Sequence, residues 1–288
     1  MSVPWAELSR HPHKAQLYGE EGFVERAWVD YRRQWGEDAA PVLRRLAVVV
    51  LKPEAIVRRA GSTVIEYLNA HGLTPIAWRE LALDAETCRT IWRYQWNKAS
   101  EDRVRLHILV ASLTPWFLIL LRDDAPAPGV PASVRLWGLK GQTDERRRDP
   151  GHLRSVIGMR NRMLGFVHTP DEPADIVREQ GILLSAAERR AWLHEVGAGL
   201  GRDRGKEAVA ALAAVEEELP RHSVDAEEVV DRLTLTASSP QVDPSTRWDY
   251  AVLAAELIEH DRPGVSAIID AGDFQETERA WARRIGGA

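Results

Sequence analysis

The sequence holds one cysteine, Cys88, among its 288 residues. That excludes an internal disulfide and every multi-cysteine zinc or iron–sulfur pattern, and a reducing, intracellular setting is expected. Long hydrophobic runs are also missing. The longest, Leu46 to Leu51 and Trp116 to Leu121, fall far short of the roughly 20 residues that span a bilayer. Neither sign of charge dominates: 38 Lys plus Arg stand against 43 Asp plus Glu, a net charge of −5. This acidic balance argues against nucleic acid as a partner. The opening stretch, MSVPWAELSRHPHK, has no basic start feeding an apolar segment, so a cytoplasmic protein without a secretory signal or transit peptide is expected. His11 and His13 stand without further ligands beside them, and no metal site built from the protein's own side chains is expected.

What is present suits a globular chain, with 44% hydrophobic and 28% charged residues, enough to bury a core without disulfides. Residues 1–44 read as a helical arm, because Phe23, Ala27, Trp28 and Tyr31 recur at helical spacing. Residues 45–184 alternate strand and helix patterns. LAVVVLK (Leu46 to Lys52) predicts a buried strand ended by Pro53, and the stripe of Val64, Ile65 and Leu68 predicts a helix stopped by Gly72. LTPIAWRELAL gives a second strand, Asp84 caps a helix, Arg103 to Ala111 forms another, and TPWFLILLRDD gives a third strand. MLGFVH then predicts a fourth strand ending at His168, followed by a helix that TPDEPAD opens. The expected architecture is α+β, a ferredoxin-like βαββαβ sandwich with additional helices. Residues 185–288 read as an all-helical accessory region, interrupted at 197–205 and 238–245. The eleven tryptophans are dispersed at core positions, and the basic run Arg146 to Arg148 reads as a solvated loop.

Three blocks carry chemistry: VVLKPEAIVRR, LKGQTDERRRDPGHLR and VHTPDEPADIVRE. In this order they resemble the signature blocks of the nucleoside diphosphate kinase family over the middle half of the chain. The resemblance implies phosphate contacts from Lys52, Thr143 and Arg154, the last two eleven residues apart. It also implies a nucleophilic His168 whose imidazole is oriented by Glu179, again eleven residues on. The residue types make sense independently. Phosphoryl transfer through the enzyme needs an uncharged nitrogen nucleophile, and histidine is substantially neutral near pH 7. Charge developing on the phosphoryl oxygens needs preplaced cations and donors.

The departures are as informative. Glu54 replaces the aspartate of the family's Lys-Pro-Asp motif, and Gly165 stands where an asparagine is usual, with Asn161 the nearest stand-in. Trp137 occupies the place of a second phosphate arginine, with Arg135 its nearest replacement. The stretch NKASEDRVRLH, which should contain the aromatic base clamp, contains none, although Tyr94 fits a family tyrosine just upstream. The interval from Arg154 to His168 is one residue longer than expected, which a small insertion at Arg160 to Arg162 would absorb. The resemblance implies ATP as phosphoryl donor, Mg2+, a nucleoside diphosphate or related acceptor, and a homo-oligomer. Two alternatives stay open: a specialised member with a non-standard acceptor, and a catalytically silent nucleotide-binding or interaction module.

Overall fold

A computed structural model describes residues 2–236 and 245–259. The arm is a chain of short helices, α1 (Trp5–Leu8), α2 (Pro12–Glu21), α3 (Phe23–Trp35) and α4 (Ala39–Arg44). The strand and helix pattern then follows as β1 (Leu46–Leu51), α5 (Pro53–Val57), α6 (Gly61–Ala70), β2 (Leu73–Leu81), α7 (Ala85–Ile91), α8 (Glu101–Ala111) and β3 (Trp116–Asp123). It continues with α9 (Ala132–Lys140), α10 (Leu153–Val156), β4 (Val167–His168) and α11 (Pro173–Leu183). The chain goes on as α12 (Ala186–Gly199), α13 (Gly205–Glu217), α14 (Ala226–Thr236) and α15 (Ser245–Ile258). Part of the interruption expected at 238–245 lies outside the described residues.

The four strands form one sheet in the order β2-β3-β1-β4, with every neighbouring pair antiparallel. This is the expected ferredoxin-like arrangement with added helices. β1 is apolar at every position because both of its faces are covered. Ala47, Val49 and Leu51 enter one core with α5, α6 and the C-terminal helices, and Leu46, Val48 and Val50 enter the other with the arm and α11. Capping follows the sequence: Asp84 accepts from the Thr87 N–H at 2.7 Å, and Ser100 accepts from that of Arg103 at 3.4 Å.

The arm is fastened to α11 by buried polar contacts. Lys14 Nζ lies 2.7 Å from Asp175 Oδ2, Tyr18 donates to Asp175 Oδ1 at 2.6 Å, and Tyr31 donates to Gln180 Oε1 at 2.7 Å. A Cβ on Gly181 would stand 2.6 Å from the Phe23 carbonyl oxygen, so only glycine allows α11 to approach α3 this closely. The helix that carries Glu179 is thus braced from behind by the arm. On the opposite face α13, α14 and α15 bury Leu212, Val229, Trp248 and Ala251.

β4 is the one element much shorter than its sequence pattern. Residues 163–166 leave the sheet because Phe166 takes a left-handed conformation, φ 57°. A non-glycine residue there stores strain. It is held by two bonds, Lys52 N–H to the Phe166 carbonyl at 2.9 Å and Phe166 N–H to Glu54 Oε1 at 3.2 Å.

Candidate active site

Register puts the end of β1 against β4, with Val50 opposite His168 and Leu51 opposite Val167. Lys52, the next residue, therefore reaches the same sheet end as His168. His168 Nε2 lies 2.9 and 3.0 Å from the two oxygens of Glu179. Donating its proton there leaves the lone pair of the neutral ring on Nδ1. Both side chains are only slightly exposed, His168 at 19% and Glu179 at 11%.

Lys52 is buried and its Nζ sits 2.7 Å from Oε1 of the fully buried Glu54. Glu54 thus fixes the ammonium group and the backbone of Phe166 together. The longer side chain in place of aspartate allows that double role. Arg154 closes the third side, donating to the Gly141 carbonyl at 2.8 Å and to the Val167 carbonyl at 3.3 Å. Burial, with Arg148 nearby, lowers its pKa to about 10, so it stays charged at neutral pH. Arg154 Nε and two nitrogens of Arg148, Nε and Nη1, are buried without a hydrogen-bond partner among the described residues. Such donors suit an oxyanion. Gly141, at φ 78°, allows the loop to pass: a Cβ there would stand 2.7 Å from His152 Cβ.

Sequence reasoning missed three residues here. Arg148, read as part of a solvated loop, donates to the Met159 carbonyl at 2.6 Å and lies beside Arg154. Lys140 is buried, with Nζ 2.7 Å from the Thr169 hydroxyl and 3.8 Å from Asp171. Burial lowers its pKa to about 8. His107 joins Trp92, Trp96 and Trp116 in an aromatic group whose Trp92 meets the His168 ring edge-on at 5.2 Å. Burial, with Lys52 and His168 close by, pushes the His107 pKa well down. A lone histidine in a helical stripe gives no sign of this, and the tryptophans read as plain core.

The structure brings His168, Glu179, Lys52 and Arg154 together, carries Arg135 and Tyr94 elsewhere, and leaves Thr143 and Asn161 on flanking loops without a side-chain contact to these four. Arg135 binds Asp123 at 2.7 and 2.9 Å and the His71 carbonyl at 2.8 Å. That is the far end of the sheet, because α9 runs from there toward the site and only its last residue, Lys140, arrives. Tyr94 is buried against the arm, donating to the Leu17 carbonyl at 3.0 Å, with its ring tilted against that of Tyr18 at 5.8 Å. Thr143 is exposed in the loop after Gly141. Asn161 Nδ2 donates to Glu256 on α15 at 3.2 Å. No group of three or more His, Cys, Asp or Glu side chains able to hold a metal ion exists among the described residues. The two carboxylates nearest His168 and Lys52 are already engaged.

The chain is also similar to known proteins. A family model described as nucleoside diphosphate kinase matches residues 46–189, half of the chain. A nucleoside diphosphate kinase of Nocardioides sp. is 30% identical over 135 residues, covering 47% of this chain and 93% of that protein. A thioredoxin domain-containing protein 3 homolog of Heliocidaris crassispina is 28% identical over 156 residues, 53% of this chain but 18% of that larger protein. Among solved structures, the Aquifex aeolicus nucleoside diphosphate kinase is 18% identical, with a TM-score of 0.41, covering 50% of this chain and 97% of that one. Among the described residues, no helix is long and apolar enough to cross a membrane.

Proposed function

The chain belongs to the nucleoside diphosphate kinase family, and from that membership we propose a phosphotransferase that carries the terminal phosphate of ATP on His168 to a diphosphate acceptor. The observation that carries this reading is the His168–Glu179 pair. With Nε2–H held by the carboxylate, the Nδ1 lone pair forms the N–P bond while the bond from the γ phosphorus to its bridging oxygen breaks and ADP leaves with the electron pair. An oxygen of the acceptor's terminal phosphate then attacks phosphorus, and the N–P electrons return to the ring. Glu179 stabilises the positive ring in between, and Lys52, Arg154 and Arg148 face the phosphoryl oxygens.

The Mg2+ implied by the family would enter on the incoming nucleotide's phosphates and supply charge neutralisation there; among the described residues no group of three or more His, Cys, Asp or Glu side chains could hold it. The lack of a Phe, Tyr or Trp in 97–107 supports a second reading, an acceptor outside the usual nucleoside diphosphates. A homo-oligomer, as in the family, is proposed as well, and light scattering on the eluted protein tests it.

The experiment is incubation of the purified protein with magnesium and γ-labelled ATP. An acid-labile, base-stable label, absent from His168→Ala and chased onto added diphosphate, is the expected result. Nucleotide binding without any label would overturn the phosphotransferase and leave a binding module.

A further inference from the structure

The loop that precedes β4 is tied to the C-terminal helices by three consecutive residues. Arg160 Nη1 lies 3.4 Å from Asp225, Asn161 donates to Glu256, and Arg162 grips Glu259 through its backbone N–H at 2.8 Å and Nε at 2.5 Å. This is the segment whose length departs from the expected interval. From the other side α8 sends Arg103, whose Nη2 donates to the carbonyls of Ile258 at 3.1 Å and Glu259 at 3.2 Å. Arg103 is one helical turn from His107 and on the same face, and His107 belongs to the aromatic group around His168. The end of α15 therefore bridges two walls of the site.

The chemistry of that end is anionic. The Ile258 and Glu259 carbonyls both accept from Arg103, and Glu259 adds a carboxylate. Two arginines converge on it as they would on a phosphate or a polar ligand. The rest of α15 is differently held: Trp248, Ala251, Val252 and Ala255 are buried, and Asp249 binds His222 at 3.1 Å and Arg232 at 3.0 Å. Leu257, in the last turn, is 85% exposed. Among the described residues, the last turn is thus held by polar contacts and the earlier turns by packing.

We propose that the end of α15 is a strap across the substrate entrance of this site, which an incoming nucleotide must displace from Arg103 and Arg162. The strap rests on the phosphotransferase reading for its purpose, but its position does not. Its hold is modest, since it consists of one part-buried ion pair and a few hydrogen bonds, so it sets access rather than abolishing it.

The test compares the full chain with the Glu256→Gln/Glu259→Gln double variant, measuring how fast diethyl pyrocarbonate modifies His168, read on its peptide by mass spectrometry. The expected result is modification faster by about three- to tenfold, with Mg-ADP binding tightened by a similar factor. Arg162→Gln, made on the opposite wall, must give the same acceleration, and Arg162→Glu combined with Glu259→Arg must return the rate toward that of the unmodified chain. An unchanged His168 rate in both loosened variants, with helical content intact, overturns the strap whatever the activity. Faster modification with no phosphohistidine in any variant keeps the strap and overturns the kinase reading alone.

Discussion

The inner and outer walls of the site are built from different materials. The inner wall, Lys52, Glu54, His168 and Glu179, hangs on the end of β1, on β4 and on α11, and its side chains are 8%, 0%, 19% and 11% exposed. The outer wall consists of the 141–149 loop, the 160–163 loop and α8, where Thr143 is exposed and Asn161 and Arg103 turn toward α15. Sheet register fixes the first set, so a change there disturbs the core. Loops and a helix end fix the second, and they can be given new partners at little cost. The proposed nucleophile His168 and Glu179 thus stand on the part of the site that is hardest to change, and the loops around them on the part that is easiest.

The contrast breaks most visibly at Glu54. Glu54→Ala leaves the buried Lys52 ammonium without its partner at 2.7 Å and the Phe166 N–H without its acceptor. Removing one member of a buried pair costs about 3–5 kcal/mol, and urea unfolding should register a loss of that size. A loss below about 1 kcal/mol would mean that the inner wall does not depend on this pair.

Lys140 sharpens the same point through pH. Its folded pKa of about 8 lies below the ordinary 10.5 because of burial. Below pH 8 both folded and unfolded chains are protonated, and the folded one carries a charge it holds poorly. Between 8 and 10.5 the unfolded chain binds more protons, so stability rises with pH. Lys140→Met should therefore stabilise the protein at pH 7 by roughly 2 kcal/mol, after allowing about 1 for the lost Thr169 hydrogen bond. The gain should fall through that window and turn into a small loss above it. A gain that is flat with pH would show that Lys140 is not charged and buried as described.

Glu179→Gln tests orientation rather than packing. The amide keeps the size but not the charge that supports the ring, and the rate of phosphohistidine formation should fall about 10- to 100-fold. Unfolding by urea should move much less. Equal rates in both proteins would remove Glu179 from its assigned role.

Much of the inner wall was legible in the sequence because its strand follows from hydrophobic period and its residues match the intervals of a family the chain resembles. The apolar run of β1 ended by Pro53 marked the strand end at Lys52, and the resemblance to the family, with its eleven-residue interval, implied Glu179 opposite His168. Arg154 came with its own interval. What was not legible depended on chain paths that spacing does not encode. Arg135 is close to Trp137 in sequence, but α9 carries it to the far end of the sheet, while Lys140, five residues later, arrives beside Thr169. Tyr94 follows Trp92 by two residues, yet on this helical turn it faces the arm and Trp92 faces His168. The use made of residues 160–162 rests on contacts with Asp225 before α14 and with the end of α15, 65 to 97 residues later, which no local pattern announces.

The smallest effect separates the two accounts of Asn161. Its Oδ1 accepts the Met163 N–H at 2.8 Å and its Nδ2 donates to Glu256 at 3.2 Å. Asn161→Asp keeps the acceptor and sets a second carboxylate beside Glu256, near solvent. Stability should change by less than about 0.5 kcal/mol, as for surface substitutions generally. If Asn161 serves only to hold α15, repulsion loosens the strap and the KM for ATP should fall about twofold, with kcat unchanged. If Asn161 instead turns inward to a bound nucleotide, as the resemblance to the family implied, the added charge meets phosphate or ribose and KM should rise. The direction of that one shift decides whether the outer wall has changed its partner from substrate to the chain's own C-terminal helix.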